Sequence, residues 1–510
     1  MLRGFNLNSS IFAKRIYLLI FNFCVFKKLL WCYNQAENEK SGQCPKGWSD
    51  LKLLDKLKSF GQRRDVDMTE GGITRHIVCF AIPLLLGNLF QQFYNTVDSW
   101  VVGNYVSDTA FSAVGTVGPI INMLINTFLG LSTGASVVIS QFYGAKQHER
   151  VQDAVHTSVM MTLILGVVFT IIGIAMTPLM LNLMETPDSV RPEATQYLII
   201  YFSGIISLML YNMGSGILRA IGDSQRPFYF LVVSALTNVV LDLVFVLVFK
   251  MGVSGVAIAT VIAQTLSAAL VLIVLLRAKN CCRLSLKKLR IHRSMLAKVL
   301  KVGIPAGIEN GMFQIGKLSV SSLTSTLGTA AIAANAVANT TTTFLNIPAN
   351  AVGMAALTVV GQCLGAGEKD QAVYYSRRLM LFAYCGAWFM NLSAFLFANK
   401  FALGLFNLSP EAYAMALEVM VWFNIVSLFI WPSSFTMPNI LRAAGDARFT
   451  MTVSIVSMWA FRVGFCYLCV LAFHGGLLAI WMGMYLDWAF RSLCFFVRFV
   501  RGKWLEQNVI

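Results

Sequence analysis

The most regular feature of the chain is a series of long apolar segments separated by short polar loops. Each is close to or above the ~20 residues that a helix needs to cross the hydrocarbon core of a bilayer. The pattern therefore predicts an all-α polytopic membrane protein with twelve transmembrane helices, in which neighbouring helices run antiparallel. These segments, called spans 1 to 12, cover residues 77–103, 114–142, 154–182, 194–218, 228–249, 253–277, 299–325, 332–362, 376–397, 411–440, 449–473 and 476–499.

Basic residues are distributed unequally between the two sets of loops. One set, together with the C-terminal tail, holds 21 Lys and Arg residues, whereas the other set holds only Arg191, Lys250 and Lys400. Loops rich in Lys and Arg stay on the cytoplasmic side of a membrane. We therefore expect a protein of the cell inner (plasma) membrane with both termini and the basic 278–298 loop in the cytoplasm.

The overall composition agrees with this prediction. The chain is 57% hydrophobic and 13% charged, against about 25% charged residues in soluble domains. Its net charge of +16 lies in short loops, so we expect no nucleic-acid partner. Without a G-x-x-x-x-G-K-[ST] loop, an H-E-x-x-H motif or a large soluble domain, neither an enzyme nor an ATP-driven pump is predicted. The 11 cysteines lack metal-ligand spacing, and no cofactor is expected.

Residues 1–67 differ from the rest of the chain. An apolar stretch at 11–33 is interrupted by Lys14, Arg15, Lys27 and Lys28, which leaves too few apolar residues for a span. Residues 34–67 are polar. We expect 1–67 to be an upstream extension outside the native protein, which then starts at Met68; an interfacial helix is the alternative.

The second half of the chain repeats the first. GILRAIGDSQRP at Gly216–Pro227 returns as NILRAAGDARF at Asn439–Phe449, and Ile82-Pro83 returns as Ile304-Pro305. Because six spans separate the copies, the halves have the same orientation and relate by an axis along the membrane normal. We predict two pseudo-symmetric six-helix bundles: an N-lobe (68–277, helices 1–6), a basic linker (278–298), a C-lobe (299–500, helices 7–12) and a tail (501–510). The Arg and Asp of each L-R-A-x-G-D element are expected to neutralise each other at a helix end.

Span 1 carries polar side chains on one face. Gln91, Tyr94, Asn95 and Asp98 are spaced three, four and seven residues apart, which aligns them along a helix. A carboxylate inside the bilayer costs a few kcal/mol, so Asp98 is expected to face the bundle interior or a wet cavity. It is either a cation- or proton-binding group of a transporter, which we favour, or a structural acid.

These features resemble the multidrug and toxic compound extrusion (MATE) transporters, and within them the DinF-like prokaryotic branch. The resemblance covers residues 68–500 and rests on the IPLLLGNLFQQFYNTVDSWVVG span, the two L-R-A-x-G-D elements, and N-V-V-L-D at 238–242 followed by G-V-A-I-A-T at 255–260. It implies a secondary active transporter, predicted to be a monomer, that exports small organic and mostly cationic compounds in exchange for H+ or Na+.

The resemblance also implies site residues. The N-lobe cation site falls on Asp98, Asn238, Asp242 and Thr260. A substrate cavity would be lined by Gln91, Tyr94 and Asn95, and the first helix would bend at Pro83.

The residue chemistry of spans 5 and 6 agrees with that implied site. Asn238 and Asp242 lie one helical turn apart, and their oxygens together with the Thr260 hydroxyl suit a hard cation such as Na+. Two carboxylates in one dry site would instead let one of them carry a proton. Both ions remain open, as does a structural role for Asp242. No tightly bound metal is expected.

Charged residues also lie inside the spans of the C-terminal half. Asp487 and Arg491 are expected to pair at i, i+4, and Arg462 is a second partner for Asp487. Span 7 holds Glu309, Gln314 and Lys317, and a lysine there disfavours a second cation site, so coupling is assigned to the N-lobe. The role of Lys317 is open.

Two functions are carried forward. The first is a cation-coupled exporter of drugs or metabolites. The alternative is a flippase for a lipid-linked oligosaccharide or another amphipathic lipid, which would be expected to show several Arg or Lys side chains in its cavity. The acids of the N-lobe favour the exporter.

Overall fold

The structure, a computed structural model, describes residues 73–106, 108–184, 186–394, 408–507 and 509–510. Within these ranges the chain is helical apart from short connections, and it contains no β-strand. The predicted all-α polytopic fold is therefore confirmed. The expected extension 1–67 and the end of span 9 lie outside the described residues.

Every predicted span coincides with one or more helices. Spans 1 to 6 comprise Ile73–Tyr105, Asp108–Gly144, His148–Leu183, Arg191–Ser203 with Ile205–Ala220, Gln225–Leu243 with the π-helical turn Val244–Val248, and Gly252–Arg277. Spans 7 to 12 comprise Arg293–Ser325, Thr329–Leu345 with Ile347–Gly365, Lys369–Ser393, Pro410–Phe429 with Trp431–Phe435 and Met437–Ala443, Ala447–Ser457 with the π-helix Met458–Phe465 and Cys466–Phe473, and Leu477–Val500. Short 3₁₀ turns occupy Leu286–Lys288 in the linker and Lys503–Glu506 in the tail.

Hydropathy identifies fewer spans than the loop pattern does. Of the described helices, eight are long and apolar enough to cross a membrane, and a ninth qualifies if the two parts of span 4, bent by 47°, are counted as one. Spans 7, 9 and 12 do not qualify. Spans 7 and 12 carry charged side chains near their middle: Glu309, Lys317, Asp487 and Arg491. Such charges lower the mean hydropathy of a helix that the alternation of loops still marks as a span.

Two buried apolar clusters form the cores of the lobes. One is built mainly from spans 2 to 6 and the other mainly from spans 8 to 12. The first turns of spans 1 and 7 are exchanged between them, since Ile77 and Phe80 belong to the C-lobe cluster and Met295 and Val299 to the N-lobe cluster. The lobes therefore share an apolar interface at the end of the bundle that carries the basic loops, called the basic end below.

The L-R-A-x-G-D elements end spans 4 and 10 in the same way. Gly222 has φ +92° and Gly445 has φ +95°, in the left-handed region that side chains with a Cβ rarely adopt. The next helices begin a few residues later, at Gln225 and Ala447. Both glycines therefore terminate the helices that precede them.

Spans 2 and 7 approach each other closely at the basic end of the bundle, and span 2 is packed less tightly toward its other end. A methyl group added to Gly134 of span 2 would overlap the backbone at Gly303 of span 7. Further from the basic end of span 2, at Gly115 and Gly118, an added Cβ would meet none of the described atoms within 4 Å. Spans 2 and 7 thus pack backbone to backbone at the basic end, whereas the span 2 backbone has open space beside it at Gly115 and Gly118.

Candidate functional site

Three of the predicted coupling residues meet inside the N-lobe. Asn238 and Asp242 on span 5 are fully buried, and Thr260 on span 6 is 4% exposed. In the amide orientation that satisfies both of its polar atoms, the Asn238 Nδ2 donates to the Asp242 Oδ2 at 2.9 Å, and its Oδ1 accepts from the Thr260 N–H at 3.2 Å. The Thr260 Oγ1 donates to the Val256 carbonyl at 3.0 Å. The one-turn spacing read from the sequence therefore places the amide and the carboxylate side by side.

This N-lobe cluster, defined as Asn238, Asp242 and Thr260, offers oxygen atoms away from water. Carboxylate, amide and hydroxyl oxygens are the ligands that hard cations take in proteins. A buried carboxylate with hydrogen-bonding neighbours is also a place where a proton can be held. Among the described residues no group of three or more His, Cys, Asp or Glu side chains is placed to hold a metal ion.

The backbone of span 5 changes directly after this cluster. Val244–Val248 forms a π-helical turn that begins two residues beyond Asp242. Span 11, the equivalent helix of the repeat, contains the π-helix Met458–Phe465. Such bulges widen a helix locally and occur frequently at functional sites. Both lobes therefore distort the same helix beside their buried polar side chains.

Span 1 packs against span 5 and runs as one helix. The rings of Phe90 and Phe228 lie 5.9 Å apart in an edge-to-face contact. Pro83 is buried within the helix Ile73–Tyr105, which continues through it without interruption. The bend at Pro83 that the resemblance implies stays a prediction.

The other predicted site residues lie further along span 1. Gln91 is exposed, and Tyr94 is half-buried. The helix runs through Asn95 and Asp98, but the side chains of both lie outside the described residues. The structure thus brings together Asn238, Asp242 and Thr260 as predicted, while the participation of Asp98 stays a prediction.

The C-lobe contains a buried acid that the sequence did not single out as a site. Glu309 on span 7 is 4% exposed. Its carboxylate accepts hydrogen bonds from Ser454 at 2.6 Å and Thr450 at 3.2 Å, and pairs with Arg442 at 2.7 Å and Arg491 at 3.8 Å. These partners come from spans 10, 11 and 12, so one side chain ties four spans together.

A second buried acid lies nearby on span 12. Asp487 accepts a hydrogen bond from Ser457 at 2.6 Å and pairs with Arg462 of span 11 at 3.1 Å. The predicted Arg462–Asp487 pair is confirmed. Arg491, expected to pair with Asp487, instead forms its ion pair with Glu309. Two acids serve three arginines in this lobe, and Arg491 pairs with an acid on another span rather than with the acid one turn away on its own helix.

The Arg and Asp of the L-R-A-x-G-D elements also find partners other than those expected. Arg442 turns to span 7, and Asp446 accepts from Arg498 at 2.7 Å, so the predicted Arg442–Asp446 pair is wrong. In the N-lobe, Asp223 pairs with Arg226 at 3.3 Å and accepts from the Arg226 backbone N–H at 3.1 Å. After the left-handed glycine, the Asp223 carboxylate thus lies at the start of the next helix, whereas the Asp446 carboxylate lies against span 12.

Two glutamines at equivalent positions of the repeat connect the lobes at the basic end. The Gln141 Nε2 donates to the Ala443 carbonyl at 2.7 Å, and the Gln362 Nε2 donates to the Ala220 carbonyl at 2.8 Å. All four residues are buried. Each lobe thus holds the end of the other lobe's L-R-A-x-G-D helix through one side-chain hydrogen bond.

The C-lobe ion cluster, defined as Glu309, Arg442, Arg462, Asp487 and Arg491, left a partial signal in the sequence. Charged residues inside an apolar span are expensive and need partners. Their number indicated pairing within the C-lobe. The Arg462–Asp487 pair joins neighbouring spans and was predicted, whereas the partners of Glu309 were not readable, because Arg442 and Arg491 lie on spans far from span 7 in the chain.

Comparisons with known proteins place this geometry in context. A family model described as MatE matches residues 83–244 and 305–468, one segment in each lobe. The chain is 27% identical to the probable multidrug resistance protein YpnP of Bacillus subtilis, over 87% of this chain and 98% of that protein. It is 26% identical to the probable multidrug resistance protein NorM of Thermotoga maritima, over 86% and 94%.

A solved structure shares the fold. A MOP superfamily transporter from Pyrococcus furiosus, described as having a binding pocket of reverse polarity that suggests a different function, superposes with a TM-score of 0.80. The two are 23% identical, and the match covers 88% of this chain and all of the other. At this identity the likeness shows the fold alone.

Proposed function

Because the chain belongs to the MatE family of transporters, we propose that it is a secondary active exporter of small organic compounds, driven by the inward flow of H+ or Na+. The matched segments cover both lobes, and the curated relatives are named as multidrug resistance proteins. The chain is a multi-pass membrane protein.

The observation that carries the proposal is the N-lobe cluster. Asp242 is a fully buried carboxylate within a membrane-spanning helix, with Asn238 and Thr260 beside it. A buried intramembrane acid is costly, and in transporters it marks an ion or proton pathway. We assign the coupling ion to Asp242, Asn238 and Thr260, with Asp98 on span 1 as a further carboxylate of the same site.

The closed and open ends of the bundle support alternating access. With the basic end in the cytoplasm, as the loop charges predict, the lobes are packed together on the inside, and we infer an opening between them at the outer end, called the cleft below. Export then requires the lobes to separate at the basic end, take up cargo, and return. Gln91, Tyr94 and Asn95 on span 1 are the proposed N-lobe contacts of a cargo that the resemblance predicts to be cationic.

A flippase for an amphipathic lipid is the second candidate. The observation that favours it is the set of basic side chains inside the C-lobe spans: Lys317, Arg442, Arg462 and Arg491. A lipid with a phosphate-containing head group would need such side chains. Ion-gradient dependence separates the candidates, because a flippase can equilibrate lipid without consuming a gradient.

The test is transport by the purified protein in liposomes, with a proton gradient and a sodium gradient imposed separately. We expect one gradient to drive accumulation of an organic probe, and Asp242→Asn and Asp98→Asn each to abolish gradient-driven accumulation. Asp188→Asn is the matched control, since this acid is exposed in a loop at the opposite end of the bundle from the basic loops. Full accumulation by Asp242→Asn would contradict the assignment of the coupling site.

A further inference from the structure

The C-lobe carries more positive than negative charge inside the membrane. Its ion cluster contains three arginines and two acids, and all five side chains are buried or nearly so. Lys317, eight residues beyond Glu309 on span 7, adds a fourth basic group. Buried charges that lack a counter-charge are expensive in a medium of low dielectric. The excess therefore indicates a place for an anion.

Several guanidinium nitrogens of the cluster have no protein acceptor. Among the described residues, the Nε of Arg462 and the Nε and Nη1 of Arg491 are buried without a hydrogen-bond partner. Both arginines are only 3–5% exposed. A guanidinium has five N–H donors in a planar fork that matches carboxylate, sulfonate or phosphate oxygens. These two side chains thus keep donors available for a ligand.

Span 7 connects the arginines to the open cleft. Glu309, Phe313 and Lys317 follow one another at four-residue spacing and share one helix face. The guanidinium carbons of Arg462 and Arg491 lie 5.0 and 5.9 Å from the centre of the Phe313 ring. Phe313 is half-buried, and Lys317 is exposed. An aromatic surface therefore separates the buried arginines from an exposed ammonium group.

The exposed side of this helix face continues toward the open end. Ser321 and Ser325 follow Lys317 at the same spacing, and both are exposed. A charged side chain in the middle of a span turns to a wet cavity rather than to lipid. We therefore place Lys317, Ser321 and Ser325 on the side of span 7 that faces the inferred cleft.

The repeat makes the contrast between the lobes explicit. The 222-residue offset between Pro83 and Pro305 aligns Asn95 of span 1 with Lys317 of span 7. The N-lobe helices carry the acids Asp98 and Asp242 near this level, whereas the C-lobe helices carry Lys317 and the arginines. Equivalent helices of the two lobes thus carry side chains of opposite charge.

We propose that the C-lobe face of the cleft binds an anionic group of the transported compound, a carboxylate, sulfonate or phosphate on an apolar body. Lys317 makes the first contact, Arg462 and Arg491 supply the positive field and the free donors, and Phe313 contacts the apolar body. The inference rests on the proposed transport function and replaces the cationic cargo of the resemblance with an anionic amphiphile.

The first test measures binding without any gradient. Carboxyfluorescein and rhodamine 6G share a xanthene ring and differ in the sign of their charge, so fluorescence polarisation with the purified protein reports the preference directly. We expect saturable binding of carboxyfluorescein, weakened about tenfold or more by Lys317→Gln and retained by Lys317→Arg. Lys301→Gln, at the basic end of the same helix, is the control and should bind as the unaltered protein does.

Two results would overturn the inference. One is preferential binding of rhodamine 6G with no saturable binding of carboxyfluorescein. The other is equal carboxyfluorescein affinity in Lys317→Gln and the unaltered protein. Because Lys317 is exposed, its replacement should leave the fold intact, and an unchanged melting temperature of the variant checks this.

The second test identifies the source of the anionic group. Liposomes of phosphatidylcholine with a trace of fluorescent phosphatidylglycerol report lipid movement by dithionite quenching, and entrapped carboxyfluorescein reports movement of a soluble anion. Movement of either probe that Lys317→Gln reduces supports the inference and names the source. Carboxyfluorescein binding without gradient-driven movement of any probe would instead contradict the proposed transport function and leave the binding site standing.

Discussion

The two glutamine bridges at the basic end predict how strongly the lobes are held closed there. Gln141→Met and Gln362→Met each remove one donor and keep a side chain of similar length, so the packing of spans 2 and 8 is disturbed little. Each variant leaves one backbone carbonyl, of Ala443 or Ala220, buried without its side-chain donor. The closed arrangement loses a contact that the separated arrangement never had.

The magnitude follows from the cost of a buried acceptor. Leaving a buried carbonyl without its partner costs about 1–3 kcal/mol, which corresponds to about a 5- to 150-fold change in an equilibrium constant. In the state with separated lobes water can reach the same carbonyl, so the cost falls on the closed state alone. Because the two bridges are equivalent and separate, their effects should be similar and should add in the double variant to about 2–6 kcal/mol.

Hydrogen–deuterium exchange measures this shift. Amides in residues 137–147 of span 2 and 358–369 of span 8 lie at the closed interface, and we expect their exchange to accelerate in each single variant and further in the double variant. Gln152→Met is the matched control. Its Nε2 donates to the Arg283 carbonyl at 3.2 Å, a bond of the same type that joins span 3 to the linker rather than lobe to lobe.

Equal exchange in the unaltered protein, the two single variants and the double variant would refute this reasoning, as would an acceleration in Gln152→Met as large as in Gln362→Met. A strong effect of Gln141→Met combined with none of Gln362→Met would refute the equivalence of the two bridges. Such an asymmetry would mean that the end of span 4, which Gln362 contacts, is held against the other lobe by further contacts.

Two further predictions concern stability and the lobe interface. Glu309→Gln removes the acid that two arginines share, so we expect the free energy of unfolding to fall by about 3–5 kcal/mol and the melting temperature to fall clearly. Asp188→Asn, in an exposed pair, should leave the melting temperature unchanged. An unchanged melting temperature in Glu309→Gln would show that the cluster does not hold the C-lobe together. A Cβ at Gly144 would overlap the Gln362 carbonyl, so Gly144→Ala should separate the lobes and raise exchange at the basic end. Gly115→Ala, which meets no described atom within 4 Å, should leave exchange as it is, and equal exchange in both variants would contradict the close packing.

The architecture could be predicted from sequence because its signals are local or repeated. Apolar runs, alternating loop charge and the duplicated L-R-A-x-G-D element each follow from physical rules that need no knowledge of contacts. The Asn238–Asp242 arrangement was equally readable, since a one-turn spacing fixes which side chains are neighbours on a helix.

Ion pairs between spans were less readable, because their geometry depends on how six helices pack. The i, i+4 rule favoured Asp487 with Arg491, yet Asp487 pairs with Arg462 and Arg491 with Glu309. Inside a lobe, an acid on a neighbouring span can offer a guanidinium better geometry than an acid on its own helix. Helix spacing alone therefore predicts polar clusters on one span and fails for charges shared among several spans.

The opposite charges carried by equivalent helices of the two lobes have a consequence for coupling. If the coupling ion binds at Asp242 in the N-lobe and an anionic cargo binds at Lys317 in the C-lobe, the two ligands do not compete for the same side chains. Each can then influence the other only by favouring one arrangement of the lobes. The glutamine bridges bias that arrangement without touching either site. Because a ligand that favours one arrangement changes its apparent affinity when the populations shift, we expect the Gln141→Met, Gln362→Met double variant to change carboxyfluorescein affinity and to accumulate less carboxyfluorescein per unit of ion gradient. Unchanged affinity together with unchanged accumulation would show that the bridges do not set the arrangement of the lobes.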